Sequence, residues 1–323
     1  MSEKQANYKN YENANYGIHC YTYQGYPDYM EDRVSVSIKD DCTYIGLFDG
    51  HGGNFASEYT SKNLHDRLIF DTDKEQSIKR CFILMDNELR ALNKDTDPGT
   101  TALIATIFET QVFIGNAGDS RAMISNNGQV KQITIDHEPT RDVELRRIRN
   151  AGFVVIDGKI CHNDGTVIKV ARSLGDFKFK DNKTEPHRQA VSPVPEIFKF
   201  DITDSLDVLI LVSDGISECL TSKEIVSYIY NQLSIDMNVE KACISLCDYC
   251  YGFNAKLGYD NMSLIMLFFY QTRNKDELFN HIKETYNSKN IEKWVDKKIQ
   301  NIDIDEEEYD SSLIINEEDY KEQ

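Results

Sequence analysis

The sequence predicts an α+β fold in which antiparallel strands form the centre and helices pack outside them. Three observations point there. Short apolar runs recur along the chain with turn signals between them. Successive runs are joined by connections tight enough to argue for antiparallel pairing. Amphipathic helical patterns are interleaved with the strands, which places helices in layers against the sheets. With 323 residues and 40% hydrophobic content, the chain can build one large core or two medium ones. No internal repeat is visible.

Taken in order, residues 1–15 are polar, rich in Asn, Lys and Tyr, and read as a loose lead-in. The folded region runs from 16 to 270. The run RVSVSI alternates and sets Val34, Val36 and Ile38 on one face of a strand. YIGLF (44–48), ALIATIF (102–108), QVFIG (111–115) and DVLILV (207–212) read as further strands, as does MSLIMLFFY (262–270). Residues 121–125 and 129–134 flank the pair Asn127-Gly128, a strong hairpin signal. Helical patterns fall at about 54–69, 74–93, 141–150, 222–233 and 238–252, and RDVELRRIRNAG places Gly152 at a helix C-terminus. Cys243, Cys247 and Cys250 are spaced as one face of a helix. A zinc half-site at that spacing would need further ligands, and no His or second CxxC lies nearby. Residues 271–302 form a helical extension, with Leu278, Phe279 and Ile282 on one amphipathic helix and Ile291, Trp294, Val295 and Ile299 on a second. From 303 to 323 the tail is strongly acidic around the apolar SLII. It reads as a solvated end or as a segment that binds an unknown protein by adding a strand to it.

The net charge is −18, from 54 acidic and 36 basic residues. No nucleic acid is expected as a partner for such a polyanion. No apolar run has the length of a membrane span, and the N-terminus carries neither a signal core nor a myristoylation glycine. Eight scattered cysteines suggest reduced thiols, hence the cytoplasm or nucleus. A monomer is the default in the absence of a dimerising segment.

The informative pattern lies where strands end. Asp49 follows YIGLF, Asp119 follows QVFIGNAG, Asp214 follows LILVS, and Asp260 precedes NMSLIMLFF. In an antiparallel sheet the end of one strand lies beside the start of its neighbour, so all four can line one rim. Glu31 and Asp32, at the start of RVSVSI, join them there. Carboxylates this close raise one another's pKa unless cations intervene. All-oxygen donors suit Mg²⁺ or Mn²⁺. An isolated Asp reads more simply as a turn or cap residue, but here each of Asp49, Asp119 and Asp214 adjoins a glycine. His51, in the turn DGHGGN, is an ordinary surface histidine on its own and a candidate proton donor beside a metal site.

The segments QGYPDYMED, GLFDGHGG, GTTA, NAGDSRA, DHEPTRDVELRRIRNAG, VARSLGDF, VSPVPEI, LVSDGISECL and GYDNMSLI occur in this order between 16 and 270. Through them the chain resembles the metal-dependent protein phosphatases (PPM), the type 2C protein Ser/Thr phosphatases. The resemblance implies a four-layer α-β-β-α sandwich of two antiparallel sheets with two Mg²⁺ or Mn²⁺ ions at one rim. It implies that Asp49 bridges both ions, that Glu31 and the Gly50 carbonyl hold one, and that Asp214 and Asp260 hold the other. Asp32 stands behind the ligands. Asp119 matches the acid of a weaker third metal, and Glu218 stands where that site often has Asp. His51 matches the general acid, and residues 176–193 match a mobile flap. The implied activity is hydrolysis of phosphoserine and phosphothreonine in phosphoprotein substrates by a hydroxide shared between the ions.

One position departs from the pattern. Where the resemblance leads one to expect an arginine gripping the substrate phosphate, this chain has Pro27, followed by Asp28. Proline offers neither a cation nor an N–H donor. Arg33 is a conceivable substitute, although strand alternation points it away; Arg121 and Arg172 match arginines the family has already. Weakened phosphate binding with retained metal chemistry is the leading expectation. The alternative is a catalytically weak or inactive binding or scaffold protein on the same fold. A metal-dependent nuclease fits badly with the charge and the lack of a basic stripe.

Overall fold

The computed structural model describes residues 5–39, 41–92, 97–181, 183–253, 259–288 and 291–294. The chain divides into Met1–Lys293 and Trp294–Gln323, and every element named below lies in the first unit. Among the described residues two large antiparallel sheets form the centre. One runs, strand beside strand, Ala6–Glu12, Tyr16–Tyr23, Met262–Phe269, Leu206–Val212, Arg121–Asn126 and Gln129–Gln132. The other runs Glu196–Asp201, Gln111–Ala117, Ala102–Ile107, Thr43–Phe48 and Arg33–Ile38.

The sheets face each other across a single apolar layer. Ile18, Cys20, Leu209, Leu211, Ile265 and Leu267 from the first meet Ile45, Leu47, Leu103, Ala105, Val112 and Ile114 from the second. The outer face of the second sheet, with Tyr44, Phe48, Ala102, Ile104 and Phe113, is covered by Leu64 of helix Phe55–Arg67 and by Ile78, Phe82 and Met85 of helix Lys74–Leu92. Helices Ser222–Asp236, Val239–Phe253 and Lys275–Asn287 cover the other outer face, where the Phe268 and Phe279 rings meet edge to face at 5.2 Å. The result is the expected four-layer sandwich. Central strands are dry on both faces, so MSLIMLFF is apolar without alternation. Each fully buried Leu, Ile or Phe in it contributes roughly 1.5–3 kcal/mol.

Helix ends follow local chemistry. The Thr221 side chain accepts from the Glu224 N–H while Glu224 accepts from the Thr221 N–H at 2.8 Å, a capping box repeated by Asn274 and Glu277. Helix Asp142–Asn150 closes with Gly152 N–H donating to Arg149 and Phe153 N–H to Ile148. Cys243, Cys247 and Cys250 are fully buried on one face of their helix, and the eight cysteines form no disulfide. They are core residues.

Two expectations change. Residues 6–12 are an edge strand, paired from Ala6↔Tyr23 to Glu12↔Gly17, with Asn13 Oδ1 accepting from the Asn15 and Tyr16 N–H groups in the turn. Polar, exposed ANYKNYE carries no apolar pattern; its partner strand makes it a strand. In the extension, helix Lys275–Asn287 buries Leu278, Phe279 and Ile282 as expected. Residues 291–294 are not helical, so the second helix does not begin at Ile291. Val295, Ile299 and the acidic tail lie outside the described residues.

Between the strands Gln129–Gln132 and Glu196–Asp201 the chain forms a small module. Helix Asp142–Asn150 and the strands Val154–Ile156, Lys159–Cys161 and Val167–Ile168 enclose Ile148, Ile160, Ile168, Val170, Phe179 and Val191. The module also contains residues 176–193. That segment is fastened: Lys180 Nζ lies 2.6 Å from Asp86 Oδ1, and both are buried. The wholly buried Glu144 staples the module, taking Arg172 Nη2 at 2.6 Å and pairing with Arg147. Arg141 and Arg172 also reach Glu196, at 3.0 and 3.5 Å. Burial pushes both glutamates up, but hydrogen bonds and charges from these arginines and His137 outweigh it. Glu144 falls below its ordinary value and Glu196 falls to about 2.

Carboxyls with depressed folded pKa values stabilise the fold above their unfolded pKa. That stability drains as the pH drops from about 4.5 towards about 2. Glu144→Gln leaves Arg147, 11% exposed, without its counter-charge and Arg172 with Glu196 alone. It is expected to cost about 3–5 kcal/mol in urea denaturation at pH 7. It should also flatten the acid loss of stability relative to wild type. A cost below about 1 kcal/mol would put the pair among weak surface bridges instead.

Candidate active site

Antiparallel register brings the predicted acids to one rim. Thr43–Phe48 ends at Asp49 beside the start of Arg33–Ile38, with Arg33 opposite Phe48. Leu206–Val212 ends two residues before Asp214 beside the start of Met262–Phe269, with Val212 opposite Leu264. Gln111–Ala117 ends two residues before Asp119 beside Ala102. A cleft of about 290 Å³ opens there, lined by Glu31, Asp49, Gly50, His51, Asp119, Asp214 and Asp260, and also by Lys169. Asp32 lies behind the lining, buried. Glu218 does not line the cleft but acts on Asp119 and Asp214 through its charge.

The Gly25–Pro27 turn and the acids after it are held by a residue the sequence did not single out. The buried Asn261 side chain accepts from the Glu31 N–H at 2.6 Å and donates to the Gln24 and Tyr29 carbonyls at 2.7 and 3.1 Å. It ties the 24–32 loop to the start of the Met262–Phe269 strand. Gly25, at φ +66°, lies against the same place: a Cβ there would come 2.4 Å from the Asp260 carbonyl oxygen. Gly215 is needed for the same kind of reason, because its Cβ would sit 2.1 Å from the Asn261 carbonyl oxygen. Glycine beside an acid here lets backbone pack on backbone. Glu31 Oε1 accepts from the Gly53 N–H at 2.6 Å, and the Asp49 N–H donates to Thr101 Oγ1 at 3.1 Å.

The electrostatics are those of a cation site. Among the described residues, none of Glu31, Asp32, Asp49, Asp119, Asp214 and Asp260 has an ion-pair partner. Asp214 Oδ1 and Asp32 Oδ2 are buried without a hydrogen bond. Burial, then the neighbouring carboxylates, push Asp49 and Asp214 well above the ordinary range; burial takes Asp32 to about 7 and Asp119 to about 6. Hard divalent ions among all-oxygen donors fit this arrangement. A second group, His137, Glu144 and Glu196, also gathers donor atoms within 4.8 Å. Its charge is already met by the three arginines of the staple.

His51 leans on another residue found only in three dimensions. Its Nε2 lies 2.8 and 2.9 Å from the two oxygens of Asp176, the buried aspartate of SLGDF. Burial works against the imidazolium, the Asp176 carboxylate outweighs it, and the His51 pKa ends above its ordinary value. The candidate arginines are occupied. Arg33 donates to the Met30 and Asp32 carbonyls at 2.6 and 2.8 Å, Arg121 forks onto Asp136, and Arg172 is in the staple. Pro27 and Asp28 do not line the cleft.

Known proteins match this chain over the same region. Residues 22–256 match the Protein phosphatase 2C family. A probable protein phosphatase 2C of Caenorhabditis elegans is 31% identical over 282 residues, which cover 83% of this chain and 78% of the relative. A protein phosphatase 2C homolog of Schizosaccharomyces pombe is 30% identical over 267 residues, 79% of this chain and 71% of its own. The crystal structure of a serine-threonine phosphatase 2C from Toxoplasma gondii superposes with a TM-score of 0.71 at 21% identity, covering 82% of this chain and 99% of that one. That likeness is one of fold.

Crowded unpaired acids make a stability prediction. With metal chelated, Asp49→Asn is expected to melt higher than wild type, by about 2–4 °C for each kcal/mol of repulsion relieved. Adding Mn²⁺ should raise the wild-type midpoint and leave the variant's nearly unmoved. A variant that melts lower than wild type in chelator would show that Asp49 is held by favourable contacts.

Proposed function

The chain belongs to the protein phosphatase 2C family of protein serine/threonine phosphatases, and on that premise we propose that it hydrolyses phosphoserine and phosphothreonine with two divalent ions, Mg²⁺ or Mn²⁺, held in the acidic cleft. The observation that carries this reading is the convergence of Glu31, Asp49, Asp119, Asp214 and Asp260 on one rim with no ion-pair partner among the described residues. As the resemblance implies, Asp49 would serve both ions, Glu31 and the Gly50 carbonyl would hold one, and Asp214 and Asp260 the other. Asp119, with Glu218 beyond it, is where a weaker third ion would be held. Ions bound there lower the pKa of water and neutralise the phosphoryl oxygens.

The rest falls to the chain's own side chains. Asn261 and the Gly53 N–H fix the position of Glu31 before any ion arrives. Thr101 does the same for Asp49 by accepting from its backbone N–H. His51 gives its proton to the leaving alkoxide. With Nε2 held by Asp176, Nδ1 is the nitrogen left for the substrate oxygen. Phosphoprotein substrates fit the open, shallow cleft, and no helix among the described residues is long and apolar enough to cross a membrane.

A second reading is favoured by one observation: no arginine lines the cleft. On that reading the chain is a weak or inactive phosphatase that works as a binding protein. Hydrolysis of a phosphothreonine peptide decides between them. Turnover dependent on Mn²⁺ or Mg²⁺, abolished by chelation and reduced on the order of 10³-fold in Asp49→Ala, is the expected result. Flat traces from both proteins, with Mn²⁺ binding still measurable in the wild type, would favour the second reading. Because an arginine can grip phosphate through two N–H groups, Pro27→Arg is expected to lower KM for the peptide several-fold. An unchanged or higher KM would remove Pro27 as the cause of weak binding.

A further inference from the structure

One lysine shares the cleft with the acids. Residues 167–170 form part of the cleft lining. Ile168 and Val170, 7% and 6% exposed, are packed into the small module's core. Lys169, in the bend just after the strand Val167–Ile168, is exposed and lines the cleft. The backbone on either side is pinned. Val167 and Ile168 pair with Cys161 and Ile160, and the Ala171 N–H donates to the His137 carbonyl at 2.7 Å.

Apart from His51, Lys169 is the only basic side chain among the described residues lining the cleft. It has no hydrogen-bond or ion-pair partner among the described residues, whereas Arg33, Arg121 and Arg172 are all committed. It shares the cleft lining with Asp260 and the other acids. A phosphate monoester entering this cleft brings negative charge towards five carboxylates. A free ammonium on a long, flexible stem, rooted in a fixed backbone, is suited to meet it.

We propose that Lys169 binds the phosphoryl group of the substrate, supplying from the 167–170 wall the cation that Pro27 does not supply from the 24–32 loop. The inference rests on the reading of the cleft as a phosphatase site. A lysine is a point charge without arginine's fork, so the contact orients less and tolerates more varied approach.

The test compares full-length wild type, Lys169→Ala, Lys169→Met and Lys169→Arg in saturating Mn²⁺. Two quantities are read: steady-state kinetics on a phosphothreonine peptide, and calorimetric binding of inorganic phosphate. Loss of one charge-assisted contact is expected to raise KM, and to weaken phosphate binding, by about tenfold in the Ala and Met variants, with kcat within about twofold. Lys169→Arg should restore both. Unchanged melting midpoints and Mn²⁺ affinity exclude a merely structural effect. KM and phosphate affinity unchanged in Ala and Met would overturn the proposal. So would a fall in kcat and Mn²⁺ affinity with KM unmoved, since Lys169 would then be acting on the acids. A wild type without turnover would sink the phosphatase reading and leave calorimetry to decide. Phosphate binding weakened in Lys169→Ala supports Lys169 even then; binding that is unaffected, or undetectable in wild type, overturns it.

Discussion

Carboxylates crowded on one rim of a dry sandwich are the constraint on which the other features of the site depend. None of them has an ion-pair partner among the described residues, and two of their oxygens are buried without a hydrogen bond. Such an arrangement is disfavoured in isolation and persists only because stiffer parts of the molecule hold it. The stiffness comes from the two sheets. Their facing layer of Ile, Leu and Val admits no slip of register, since a shift of one residue would turn every side chain to the wrong face.

Register does the assembling and single hydrogen bonds do the trimming. Antiparallel pairing brings the ends of three strands to the starts of others, so residues far apart in sequence arrive together without a dedicated scaffold. The 24–32 loop has no strand to hold it until Arg33, and there Asn261 substitutes for secondary structure. One amide serves the Glu31 N–H on its oxygen and the Gln24 and Tyr29 carbonyls on its nitrogen, a distance of more than two hundred residues along the chain. Buried amides that satisfy several backbone groups at once leave little freedom to the loop they hold.

Much of this was legible in the sequence, for definite reasons. Helices such as Lys74–Leu92 and strands such as Leu206–Val212 carry local periodicity or unbroken apolar runs, and the Asp residues stand at the ends of those runs. What could not be read was whatever depends on a distant partner. The strand Ala6–Glu12 is polar and owes its conformation to Tyr16–Tyr23 alone. Asn261 is an ordinary residue in DNMS until its neighbours appear. Asp176 carried no signal of its own in VARSLGDF, and only folding sets it against His51, 125 positions away. Lys169 sits within an unremarkable IKVAR and gains meaning only because its neighbours Ile168 and Val170 are buried while it is left exposed in the cleft lining.

The chain handles buried acids in two ways, and the difference between them separates structure from function. Glu144 is wholly buried and surrounded by Arg147 and Arg172, with Glu196 shared between Arg141 and Arg172. Its charge is met within the fold, its pKa is depressed, and the group acts as a fastener. Asp49 and Asp214 carry the same functional group in similar dryness, yet no cation of the chain is given to them and their pKa values rise. Selection for stability alone would have treated both clusters alike, since an arginine beside Asp49 would relieve the same repulsion that Arg172 relieves at Glu144. An unmet charge of this size at an open cleft, in a chain that meets the charge of Glu144 so fully, is therefore best understood as reserved for a ligand that comes and goes. The single loose lysine in the cleft lining fits the same logic, because an ammonium already paired with a carboxylate would have to break that bond before it could hold a phosphate.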